Sequence, residues 1–252
     1  MSRRRRAGFV SSSSVTVWSA DLAAWNPAGA REVAESRLAT RRLVTEVAVR
    51  ASLAERGWGR RAEIVRVCPV CGQTGHGRPT VSGAGHAVGI SASASGGYAV
   101  VAVGEGHVGI DIEVEGQRGE PPARVLTEAE ASALARVEAA QRWRAFLRIW
   151  TAKEAVAKAD GRGLLAPLNE LDASVLVGGP VASVVLGGRG WNVRVCCLPL
   201  HGGVIGVVAV ATEGPQSVVW KDLAPSRRAG WSRHDSPRRD AAPQLGLSVA
   251  RG

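Results

Sequence analysis

Arg148-Ile149-Trp150-Thr151-Ala152-Lys153-Glu154-Ala155-Val156-Ala157-Lys158 decides how the rest of the chain is read. Phe146, Leu147, Trp150 and Val156 recur at helical spacing, no proline interrupts before Pro167, and Gly161 and Gly163 supply a stop. The stretch is expected as a helix with Glu154 and Lys158 one turn apart on a shared face. Taken alone, such a pair suits an ordinary surface ion pair. The lysine count favours another use: only three of the 32 basic residues are lysine (Lys153, Lys158 and Lys221), and two of them lie here. Compact, strongly hydrated ammonium groups beside a carboxylate suit phosphate chemistry.

A chain of 252 residues can bury a core as one large domain or two small ones. Its net charge of +10 sits mostly at the ends. Residues 1–14 carry four arginines and no acid, and residues 215–252 carry seven basic residues against three aspartates. The middle, with 21 basic and 19 acidic residues, shows no stripe of Lys and Arg interleaved with aromatics, which argues against a nucleic-acid-binding fold. A nucleic-acid reading would rest on the tails alone; attraction of an acidic partner fits the same charge. The arginine run at Arg3–Arg6 is followed by Ser11–Ser14 and then Asp21, without an apolar core of signal length, so no export is expected. No uninterrupted apolar segment reaches membrane-spanning length. Four cysteines do not make a disulfide framework in a chain of this size, and a cytoplasmic location is expected.

Val15-Thr16-Val17-Trp18 reads as a first strand, and Ala30 to about Arg56 as a long helix or helical pair carrying Arg37, Arg41 and Arg42 on what pattern alone makes a solvated face. Cys68-Pro69-Val70-Cys71 followed by His76 has half the spacing of a zinc site. Gly75-His76-Gly77-Arg78-Pro79 reads as a loop, where glycine-freed amides and Arg78 could meet a phosphate. Ile90–Gly97, Tyr98–Val103 and Val108–Glu113 read as three strands. In the third, Asp111 and Glu113 point to one side and Ile110 and Ile112 to the other. Two hard oxygen donors on one strand face are the arrangement magnesium uses when it carries a substrate phosphate, although a strand with its polar side in water would alternate in the same way. Residues 116–124 form a polar linker, Thr127 and Glu130 a capping box, and a break near Ala139–Gln141 precedes the helix quoted above. Val181–Leu186, Trp191–Leu198 and Val204–Ala211 read as an antiparallel meander with Cys196 and Cys197 buried in it, and the chain from about Glu213 onward as disordered.

His76-Gly77-Arg78-Pro79, Ser93-Ala94-Ser95-Gly96, Gly109-Ile110-Asp111-Ile112-Glu113 and Trp150–Lys158, in this order, resemble the surfactin-type 4′-phosphopantetheinyl transferases over roughly Arg37–Ala211. The resemblance implies an α+β fold of two similar halves in one chain with coenzyme A in the cleft between them. That divides the chain into a disordered basic N-terminus (1–14), an N-terminal half (15–107), a C-terminal half with the metal site (108–213) and a disordered basic tail (214–252). It implies Asp111, Glu113 and Glu154 as ligands of magnesium, with manganese as an alternative ion. Lys158 would hold the diphosphate, and Glu154 or a metal-bound water would take the proton from a serine of an acyl or peptidyl carrier protein. That serine would attack the β-phosphate of coenzyme A and release 3′,5′-ADP. Gly77, Arg78, Pro79, Ser93, Ser95 and Lys153 would contact the coenzyme, and Arg41 or Arg42 would meet its 3′-phosphate end. The expected partners are coenzyme A and a carrier protein, with no nucleic acid and no membrane, and a chain holding both halves is expected to act as a monomer. One departure stands out: the family has Ser-His-Ser where this chain has Ser93-Ala94-Ser95, so a histidine contact to coenzyme A phosphates is missing. The alternative that follows is a catalytically weak or inactive carrier-binding protein on the same fold.

Overall fold

The computed structural model describes residues 14–25, 34–58, 62–68, 71–85, 87–116, 119–161, 167–188, 191–198, 200, 203–211 and 217–224. The chain begins with β1 (Ser14–Asp21), the short α1 (Leu22–Trp25), α2 (Ala34–Arg56), β2 (Glu63–Val67), β3 (Thr74–Ser82), β4 (Val88–Ser95) and β5 (Tyr98–Glu105). It continues through β6 (His107–Val114), α3 (Glu128–Ala135), α4 (Ala139–Asp160), β7 (Val184–Gly188), β8 (Trp191–Cys197), β9 (Val204–Ala211) and β10 (Ser217–Asp222). The architecture is α+β, as the sequence suggested.

One pattern occurs twice. A strand, a long helix and a returning antiparallel hairpin give the order β1-β5-β4 in the first sheet and β6-β9-β8 in the second. Period-two alternation then sets the layers. Val100 and Ala102 of β5 meet Ile110, Ile112, Val208 and Val210 in a core between the two sheets. Ala99, Val101 and Val103 point the other way, under Val44, Ala48, Val49 and Leu53 of α2. Val207 and Ala209 of β9 likewise pack beneath Ile149, Ala152 and Val156 of α4. Two sheets therefore face each other with one long helix outside each. The strands are apolar on both faces because both faces are covered.

Helix α4 lies unusually close to β6. A Cβ on Gly109 would stand 1.8 Å from the Ala155 carbonyl oxygen and 2.5 Å from the Ala159 nitrogen, so no larger residue fits without moving the helix. The helix stops at Gly161, whose φ of +89 is the left-handed conformation that glycine supplies at helix ends. The capping box at Thr127 and Glu130 starts α3, which ends at Ala135, so the break before α4 falls at 136–138, slightly ahead of the expected position.

Three expectations are corrected. Gly75–Pro79 is not a loop but part of β3, which pairs with β2 in a two-stranded ribbon where Pro79 opposes Arg66. Proline is tolerated there because such a ribbon leaves one side of each strand unpaired. The expectation of a disordered tail does not hold for Ser217–Asp222, where β10 runs parallel to β1 from Ser217↔Ser14 to Asp222↔Ser19. The N-terminal half is accordingly not one continuous segment, because its sheet is completed from the C-terminal end of the chain. The first strand is described from Ser14, and the expectations for residues 1–13 and 225–252 lie outside the described residues. Among the described residues, no helix is long and apolar enough to cross a membrane.

Candidate active site

The sheets meet edge to edge where β4 passes β6, and no backbone ladder joins them. Serine side chains take its place. Ser91 Oγ accepts from the Ile110 amide at 3.1 Å and Ser95 Oγ from the Val114 amide at 3.3 Å. Ser93 Oγ donates to Asp111 Oδ1 at 2.8 Å, and Ser95 Oγ approaches Glu113 Oε2 at 3.4 Å. Ser91 was missed in the sequence, although Ser-Ala-Ser-Ala-Ser at 91–95 is a period-two signal for three hydroxyls on one face.

The same alternation puts Gly109, Asp111 and Glu113 on the face of β6 opposite its isoleucines. Asp111, only 4% exposed, receives Lys158 Nζ on Oδ1 at 2.6 Å, and Lys158 also reaches the Ile110 carbonyl at 3.3 Å. Glu154, one turn earlier on α4, faces the same cluster. Burial first, and then the Asp111 charge, push its carboxyl above the usual range, with Lys158 opposing. Glu113 is raised by the same two causes in the same order, while hydrogen bonds from Ser95 and the Trp150 indole offset part of the rise.

Two buried carboxylate oxygens, Asp111 Oδ2 and Glu154 Oε1, have no hydrogen-bond partner. Such orphans are costly, and carboxylates crowded so that the Asp111 charge raises both Glu113 and Glu154 are the kind of donor set that suits a hard divalent cation. The chemistry therefore fits magnesium. Among the described residues, however, no three His, Cys, Asp or Glu side chains are gathered closely enough to hold a metal as they stand. That applies equally to Cys68, half-exposed, and Cys71, exposed; the side chain of His76 lies outside the described residues.

Beside this cluster opens a cavity of about 560 Å³ whose lining includes Arg41, Arg42, Arg66, Arg78 and Lys158, with Gly77, Pro79, Ser91 and Ala92. Arg66, on β2, was not anticipated from the sequence because its strand was not. Burial and then the nearby Arg42 charge lower its pKa, with Glu46 opposing. Guanidinium groups that repel one another across a cavity are a site prepared for anions. A smaller hollow of about 170 Å³ shares Arg41, Thr45 and Ala92 with it and adds Ser93 and Ala94. Ala94 alternates with the serines, so it faces this hollow and the α2 side rather than Asp111.

Lys153 does not join the site. It is fully buried on another face of α4, donating to Glu130 Oε2 at 2.6 Å and to the carbonyls of Val125 and Leu168 at 2.7 and 2.8 Å. Glu130 closes that network by accepting from Thr127 N and Ala173 N. The expected coenzyme contact at Lys153 is corrected to a structural ion pair: one residue along a helix turns the side chain about 100° away from Glu154.

An acidic cluster with unsatisfied oxygens, a lysine paired to it and an arginine-lined cavity alongside make a site whose charge pattern suits an anionic ligand together with a cation. Residues 107–205 match the family model of the 4′-phosphopantetheinyl transferase superfamily. The match begins with β6 and ends in β9, so it contains Asp111, Glu113, Glu154 and Lys158 but not the α2 and β2–β3 side of the cavity. No curated protein matches the chain.

Proposed function

We propose that this protein transfers the 4′-phosphopantetheine group of coenzyme A to a serine of a carrier protein. The observation that carries the reading is the pairing of Asp111 with Lys158, a lining residue of the arginine-rich cavity, with orphaned oxygens of Asp111 and Glu154 beside it. Arg41, Arg42 and Arg66 offer forked donors to the phosphates at the adenosine end, and Lys158 meets the diphosphate. Asp111, Glu113 and Glu154 would hold magnesium, which there supplies positive charge against the phosphates. Glu154, whose carboxyl is held above the usual range, is suited to accept the serine proton at Oε1 as the serine Oγ bonds to the β-phosphorus and the bond to 3′,5′-ADP breaks. Ser93 and Ser95 orient the two β6 carboxylates. The chain supplies the cavity lining from α2, β2, β3, β4 and α4, which supports action as a monomer, and cysteines that form no disulfide support a reducing cytoplasm.

The test is mass spectrometry of apo-carrier proteins incubated with this protein, coenzyme A and magnesium. The expected result is a carrier gaining one phosphopantetheinyl group, with the gain abolished by a chelator. Binding of a carrier without any mass change across fatty-acid, polyketide and peptide carriers would overturn the reading in favour of a carrier-binding protein.

A further inference from the structure

Arg78 lines the cavity, yet its guanidinium faces the main chain. Nε donates to the Ile90 carbonyl of β4 at 3.1 Å, Nη1 to the Lys158 carbonyl of α4 at 2.8 Å, and Nη2 to the Val108 carbonyl of β6 at 2.9 Å. Three of its five N–H groups are thereby committed to three different elements. Each acceptor is a carbonyl that ordinary secondary structure leaves short of a partner. Ile90 and Val108 lie where β4 and β6 pass without a ladder, and Lys158 is in the last turn of α4, whose final carbonyls have no helical donor. Neighbouring carbonyls in that turn are met separately, Ala157 by the Gly161 amide at 3.1 Å and Ala159 by His107 Nδ1 at 3.2 Å. A guanidinium at a helix C-terminus is also favoured by the helix dipole.

We infer that Arg78 is a positioning residue: it fixes the end of α4 against β4 and β6 so that the Lys158 ammonium meets Asp111. The inference deepens the proposed transfer and rests on it for its kinetic arm. The Lys158 carbonyl held by Arg78 belongs to the residue whose side chain reaches Asp111, so any fraying of that turn moves the ammonium directly. Lysine cannot replace arginine in this role, because one ammonium nitrogen cannot span three acceptors on three elements in a fixed fork. A phosphate contact, in contrast, would tolerate lysine well.

The experiment compares Arg78→Lys, Arg78→Ala, Lys158→Ala and the Arg78→Ala/Lys158→Ala double variant in the full chain. Expected are a kcat lowered by about tenfold or more in both Arg78 variants, a KM for coenzyme A within about threefold of the parent, and a double variant no slower than Lys158→Ala alone by more than about threefold. Near-parent kcat in Arg78→Lys with a KM raised about tenfold in Arg78→Ala would overturn the inference and make Arg78 a phosphate contact. Additive losses in the double variant would also overturn it. Hydrogen exchange provides an arm independent of activity: Arg78→Lys should speed exchange at the end of α4 while leaving β1 and β5 protected. An unchanged pattern there sinks the inference even if no carrier is ever modified, and faster exchange upholds it even if the transfer reading fails.

Discussion

Glu154 carries the most consequence of any single residue. Glutamine keeps its shape and removes its charge, so Glu154→Gln should abolish transfer while circular dichroism shows an unchanged fold; undiminished turnover would remove Glu154 from the chemistry. Its ionisation has a second consequence. The folded chain holds protons on Glu113 and Glu154 at pH values where the unfolded chain has released them, because burial and then Asp111 raise both carboxyls. Across that window the folded state binds more protons, so this contribution to stability is present below the ordinary carboxylate range and is lost as pH rises through the raised values. Metal-free Glu154→Gln should therefore melt higher than the parent at neutral pH, with the gap closing as pH falls toward about 4. A gap independent of pH would show that burial at residue 154 does not act through its charge. Lys158→Ala should slow the phosphate step and weaken coenzyme A binding in calorimetry, and with Asp111 left unpaired it should also lower the melting temperature. The β6 carboxylates were legible because strand alternation is exact in sequence. Lys153 was misread because counting lysines says nothing about which side of a helix each one occupies.

Between elements, the decisive contact is α4 on β6, where backbone touches backbone. Gly109→Ala would drive a methyl group into the Ala155 carbonyl, and no flexible side chain is there to yield. The expected loss is on the order of 3 kcal/mol, the upper part of the overpacking range, with activity falling further because Asp111 and Lys158 are displaced relative to each other. Chemical denaturation reads the first effect and carrier modification the second; a loss below about 1 kcal/mol would mean that the helix can retreat at little cost. Gly109 appeared in the sequence only as one letter of a motif, because nothing in a strand pattern announces the helix that will cross it. The long helices and the capping box were legible, since spacing and end residues encode them locally. The β2–β3 ribbon was not: glycine and proline dominate Gly75–Pro79, and the pairing that overrides them, with Arg66 opposite Pro79, is a property of two segments rather than one.

At the level of the whole molecule, the strand–helix–hairpin pattern is repeated, but among the described residues the acidic cluster on α4 and β6 has no counterpart on α2 and β1. In the C-terminal half, positions four apart on α4 present Glu154 and Lys158 to β6. In the N-terminal half, positions four apart on α2 present Ser52 and Arg56 to β1, where Ser52 accepts from the Trp18 indole at 2.7 Å and Arg56 donates to Thr16 Oγ1 and the Ser14 carbonyl at 2.8 Å each. That face is closed by donors meeting hydroxyl and carbonyl oxygens and carries no carboxylate in those contacts, while α2 and β2 of the first half supply arginines to the cavity. Its sheet depends on the far end of the chain. Val218 and Trp220 of β10 pack into the inter-sheet core, Leu223 is buried, and Lys221 pairs with Glu55 at 2.6 Å while lying 5.2 Å over the Trp18 ring. This closure was not legible because Ser217–Asp222 is a short run within a Pro- and Arg-rich composition, and its partner strand lies at the opposite end of the sequence. Two truncations isolate its contribution. A chain ending at Ala224 keeps the contacts of β10 with the other described residues, whereas a chain ending at residue 216 loses the ladder along β1, the Leu223 anchor and the cover over Trp18. Burial of one large aliphatic side chain contributes about 1.5–3 kcal/mol, and the partly buried valine and tryptophan add to it, so the shorter chain should melt at least about 8 °C below the longer one. Equal melting temperatures would mean that β10 rests on the sheet without stabilising it. A drop accompanied by aggregation would fit the alternative cost of removing an outer strand, the exposure of β1 as an unpaired edge.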